Sequence, residues 1–206
     1  MRSTLVALLA VTVLVAGACS STGTSSNQRD GRGLAHIHGL GVNPADGALY
    51  AGTHYGVYRL AKERDPELVG GVVQDFMGFT VAGPNYFLGS GHPGADDRDA
   101  PPALGLIATT DGGQSWASVS LSGEADFHSL DYRHGVVYGL NSRTQTVMVS
   151  ADKRTWDQRA TISAIDIAVS PQNANEILAT TTDGLARSLD QAKTFTPVGA
   201  HPSSSC

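Results

Sequence analysis

Thr109-Thr110-Asp111-Gly112-Gly113-Gln114-Ser115-Trp116 (TTDGGQSW) decides the fold. A carboxylate at Asp111 can accept backbone N–H groups within a tight turn, as Asx turns do. Gly113 supplies a backbone conformation that a β-carbon disfavours. Trp116 is large enough to pin the hairpin onto a sheet. The pattern returns at Ser188-Leu189-Asp190-Gln191-Ala192-Lys193-Thr194-Phe195, with Ala for Gly and Phe for Trp. It returns one residue shorter at Ser150-Ala151-Asp152-Lys153-Arg154-Thr155-Trp156. Three such turns, each after a short strand-like run, point to a repeated β unit.

Working outward, alternation and turn signals divide the chain into four repeats. The first has strands over 37–42, 48–53 and 56–60, with Asn43-Pro44-Ala45-Asp46-Gly47 as its turn and a charged turn at 62–65. The second runs through 76–82, 85–89 and 106–109, the third through 127–132, 136–140 and 146–150. The fourth runs through 165–170, 177–181 and 184–188. No amphipathic helix is evident. Four-stranded repeats of this size predict an all-β propeller of about four antiparallel blades. Four is few for such a ring, which leaves two alternatives: an unusually small propeller, or an incomplete ring with exposed sheet edges, the favoured expectation.

The turns resemble the Asp-box, S/T-x-D-x-G-x-S/T-W, of the bacterial neuraminidase repeat. The resemblance implies a structural role for Asp111, Gly113, Trp116, Asp152, Trp156 and Asp190, away from any active site. His36-Ile37-His38-Gly39 and the run Met77 to Pro93 (MGFTVAGPNYFLGSGHP) also resemble a group of bacterial lipoproteins loosely labelled sialidase-like or glycosyl hydrolase.

The N-terminus reads as a leader. Leu5 to Val15 is apolar and of signal-peptide length. Ala16-Gly17-Ala18-Cys19 resembles a lipobox, which implies lipid on Cys19 and attachment to the cell membrane on its extracytoplasmic side. Residues 1–18 are then the signal peptide, 19–33 a Ser/Gly-rich linker, 34–200 the propeller and 201–206 a disordered tail. With Cys19 lipidated, Cys206 has no partner for an internal disulfide. The net charge of −5 and the lack of a basic stripe exclude nucleic acid.

The leading residues of the four first strands form two columns: His36, Asp75, Asp126, Ser163, and His38, Met77, His128, Ile165. First strands line a propeller's channel in one direction, so these residues converge at one mouth. His36 and His38 share a face of an extended chain. His54 and His92 lie in turns returning to the same end, and the loop from His92 to Leu104 could fold over the mouth as a lid. The expected ligand-binding set is His36, His38, His54, Met77, His92 and His128, with His36, His38 and His128 as metal ligands. Imidazole with carboxylate suits zinc, and Met77 extends the choice to copper. The alternative is a hydrogen-bonded polar plug.

Two functions follow. One is a membrane-anchored binding module whose mouth takes a metal, a glycan or a protein. The other is a glycoside hydrolase using Asp75 and Asp126 as its carboxylate pair. A true sialidase is excluded, because no Arg-Ile-Pro motif is present and no arginine falls in the two columns.

Overall fold

A computed structural model describes residues 34–62 and 64–199. The expected signal peptide, linker and tail, with Cys19 and Cys206, lie outside the described residues. The architecture is a four-bladed β-propeller of antiparallel four-stranded sheets, without helices among the described residues.

Blade one holds β1 (Ile37–Val42), β2 (Leu49–Thr53), β3 (Gly56–Leu60) and β4 (Glu67–Leu68). Blade two holds β5 (Asp75–Gly83), β6 (Tyr86–His92), β7 (Leu106–Thr109) and β8 (Ala117–Ser120). Blade three holds β9 (Phe127–Arg133), β10 (Val136–Asn141), β11 (Thr146–Ser150) and β12 (Asp157–Thr161). Blade four holds β13 (Ala164–Val169), β14 (Ile177–Thr181), β15 (Gly184–Ser188) and β16 (Thr196–Pro197). Each sheet is a meander in chain order.

The inner strands β1, β5, β9 and β13 pack side by side in that sequence. Glycine permits the close approach. A β-carbon on Gly39 would lie 2.5 Å from the Phe79 carbonyl oxygen, and one on Gly78 2.6 Å from that of Phe127. Phe76, Phe79, Phe87, Tyr50 and Val57 fill the joint between blades one and two. Phe127, Leu130, Leu88 and Leu106 fill the next, and Ile167, Val169 and Ile177 meet Tyr138, Leu140 and Val147 in the third. Polar stitches reinforce these joints. Asn43 and Asn85 bond each other, Ser90 Oγ accepts the Phe127 N–H, and Asp131 Oδ2 accepts the Val169 N–H. β13 makes no comparable contact with β1. The four blades therefore form an arc, and apolar side chains stay uncovered at its ends: Leu40 and Val42 on β1, Ile165 and Leu178 on blade four.

The three Ser/Thr-x-Asp turns share one hydrogen-bond pattern. Asp111 accepts from the Ser115 N–H, the Ser115 hydroxyl and the Thr109 hydroxyl. Asp190 accepts from the corresponding groups of Thr194 and Ser188. In the shorter turn Asp152 takes the Arg154 and Thr155 N–H groups. Gly113 sits at φ 96°, and Ala192 takes the equivalent place at φ 65° despite its β-carbon. Trp116 lies against Phe76 with ring centroids 4.8 Å apart, and Trp156 stacks on Phe127 at 4.9 Å.

The packing and the turns each give a prediction. Gly39→Ala should destabilise the fold by about 1–3 kcal/mol in urea unfolding, as overpacking does. Gly83→Ala, whose methyl meets nothing nearer than 3.8 Å, should cost less. Hydrogen bonds from Ser115 and Thr109 hold the Asp111 carboxyl down at about 2, and those from Thr194 and Ser188 hold Asp190 at about 2. The folded state thus binds fewer protons here than the unfolded chain. The stabilisation is present above pH about 4 and is lost as pH falls toward about 2. Asp111→Asn should lower the neutral-pH melting temperature and flatten its decline through that acid range.

Candidate metal-binding mouth

A β-bulge at the head of every inner strand organises one mouth of the channel. On the ladder Ile37 pairs with Thr53 and Gly39 with Gly52, so His38 has no cross-strand partner. Met77 is skipped in β5, His128 in β9 and Ile165 in β13. Bulges commonly re-aim a side chain in this way. The residue before each bulged dipeptide supplies a second column, and the residue opposite it, at or just past the end of each second strand, supplies a third. By ladder register His54, His92, Ser142 and Thr182 are equivalent.

Five of the chain's seven histidines gather here. His38 Nε2 lies 3.3 Å from His54 Nε2, and His54 Nδ1 lies 2.7 Å from Asp75 Oδ1. The other oxygen, Asp75 Oδ2, is 3.1 Å from His92 Nδ1. His92 Nε2 then lies 3.3 Å from Asp126 Oδ2, which is also 2.9 Å from His128 Nε2 and accepts the Ser142 hydroxyl at 2.9 Å. The result is one chain of imidazoles and carboxylates across three blades, alternating from His54 onward. Within it are two groups whose ligand atoms all fall within 4.8 Å of one another: His38, His54, Asp75, and His92, Asp126, His128.

The electrostatics differ along the chain. Burial and the neighbouring His54 lower the pKa of His38, which favours the neutral form that can ligate. Burial also works to lower His92, but its bond to Asp75 and the charge of Asp126 outweigh that and raise it. Burial would raise Asp126, yet hydrogen bonds from His128 and Ser142 leave it below the usual carboxylate range. Asp126 is buried, and its Oδ1 has no hydrogen-bond partner.

Several expectations meet a different geometry. His36 and His38 do not share the face of one strand. β1 begins at Ile37, and His36 stands outside it in a left-handed conformation at φ 57°. Both rings still reach His54, with centroids 4.9 and 4.6 Å from it. The trio His36, His38 and His128 does not form one ligand set. His38 and His128 fall in different groups and His36 in neither, because the bulged positions belong to blades one and three. Met77, half-buried on β5, lies outside the hydrogen-bonded chain. Asp75 and Asp126 are not a free carboxylate pair facing a groove; His92 spans them. A separate cavity of about 580 Å³, lined by Leu40, Val42, Val81, Tyr132 and Arg133 among others, contains none of these side chains.

No protein-family model matches the sequence, and no curated protein matches it. Solved structures do match the fold. An ancestral GH74 enzyme is 14% identical with a TM-score of 0.57, over 81% of this chain and 24% of its own. The GH74 xyloglucanase from Xanthomonas campestris is 16% identical with a TM-score of 0.55, over 82% of this chain and 31% of its own. The chain thus spans about a quarter to a third of these larger proteins, and the likeness is one of propeller architecture.

In an NMR titration of the metal-free protein, His92 should titrate above the ordinary 6.5 and His38 below it. The stability contributed by His92 is then fully present below pH 6.5 and is lost as pH rises through its raised value. Asp126→Asn should bring His92 back toward the ordinary value.

Proposed function

We propose that this protein is a binding module whose His/Asp mouth holds a divalent transition metal, with zinc the best chemical match, at His92, Asp126 and His128. We further propose that it works on the extracytoplasmic side of a membrane, anchored through lipid on Cys19. The observation that carries the metal reading is the buried Asp126 carboxylate. One of its oxygens lies 2.9 and 3.3 Å from two imidazole nitrogens, while the other is left without a partner. A hydrogen-bonded plug would be expected to satisfy both oxygens, since an orphaned buried acceptor costs about 1–3 kcal/mol. Two imidazoles and one carboxylate form a familiar ligand set for zinc, with further positions left for water or substrate.

Zinc titration followed by calorimetry and elemental analysis tests this. Wild-type protein should retain metal through desalting, and zinc at 100 times its dissociation constant should stabilise the fold by about 2.7 kcal/mol. His128→Ala and Asp126→Asn should each weaken binding at least about tenfold. Equal metal content in wild type and both variants would overturn the metal reading. Cys19→Ser should move the expressed protein from the detergent phase to the aqueous phase, and unchanged partitioning would overturn the anchor.

A further inference from the structure

We infer that the mouth holds two metal ions rather than one, and that Asp75 is a positioning residue shared between them. This rests on the metal reading above and deepens it. The second ion is assigned to His38 and His54.

The two Nε2 atoms of His38 and His54 face each other at 3.3 Å. Two neutral imidazoles meeting through these atoms form at most one weak hydrogen bond. The same spacing is what a metal requires. Bonds of about 2.0–2.1 Å at a tetrahedral angle place neighbouring ligand nitrogens about 3.3–3.4 Å apart.

Asp75 fixes which nitrogen each ring presents. An ionised carboxylate only accepts, so both nitrogens bonded to it must carry hydrogen. Asp75 Oδ1 takes the Nδ1–H of His54 and Oδ2 takes the Nδ1–H of His92. One carboxylate therefore turns the Nε2 atoms of two rings outward, His54 toward His38 and His92 toward Asp126 and His128. Carboxylate-to-histidine bonds of this kind orient ligands in metal sites, and losing one typically costs 10–100-fold in affinity. Here one side chain serves two rings in two ligand sets. The blade repeat explains the arrangement, because His54 and His92 occupy equivalent ladder positions in neighbouring blades and Asp75 stands between them.

Zinc stoichiometry and histidine tautomers test the inference. Wild type should bind two zinc ions, and His38→Ala and His128→Ala one each, all three folding with similar circular dichroism. Asp75→Asn should retain the fold but weaken both sites about 10–100-fold. In the metal-free protein, at a pH high enough for His92 to be neutral, nitrogen-15 spectra should show His54 and His92 protonated at Nδ1, and Asp75→Asn should shift at least one ring toward the other tautomer, since an amide offers a single acceptor oxygen. One ion in wild type, lost in His128→Ala but kept in His38→Ala, would overturn the second site and leave the proposed function standing. Loss of only one site in Asp75→Asn, with both tautomers unchanged, would overturn the shared role. No zinc bound by wild type would sink both readings.

Discussion

The bulge at the head of each inner strand is the constraint on which the mouth depends. It leaves one residue per blade off the ladder, free of a cross-strand neighbour. At these places the chain has His38, Met77, His128 and Ile165. Their relative positions are then set by how closely the blades approach. That approach is fixed by glycine against carbonyl, Gly39 on Phe79 and Gly78 on Phe127. The site's geometry is thus inherited from core packing several ångströms away, which is stiff because protein interiors are close-packed.

Two carboxylates at one mouth repel each other and lose hydration on burial. His92, placed between them with a raised pKa, answers both problems in the protein alone. Blade four shows what the same positions become when no such cluster is needed: Ser163, Ile165 and Thr182, with neither imidazole nor carboxylate. The chemistry therefore belongs to blades one to three.

Much of this was legible in the sequence, for a physical reason. The inner three strands of each blade run over four or more residues between turn signals, and their predicted bounds fall within a few residues of the observed ones. The outer strands were not delimited. Glu67–Leu68 and Thr196–Pro197 are too short to carry any period. Repetition aligned the leading columns and brought Asp75, Asp126, His38 and His128 to one end. The bulges escaped, since a one-residue slip leaves no mark in composition, and so did the left-handed His36. The equivalence of His54 and His92 was also hidden, because turns of very different length follow them. Counting from the preceding strand rather than from the turn would have aligned Gly52-Thr53-His54 with Ser90-Gly91-His92.

The open arc bears on the site less than it first suggests. The uncovered apolar residues lie on the free faces of blades one and four, Leu40 and Val42 at one end, Ile165, Leu178 and Leu185 at the other. The two His/Asp groups instead sit at the joints between blades one and two and between two and three, both filled by aromatic side chains. Blade four supports blade three from behind through Ser129 and Asp131, which bond the β13 backbone at Ile167 and Val169. It follows that the mouth needs three consecutive blades held in register and a fourth as their buttress, which is the set of interfaces the described residues provide.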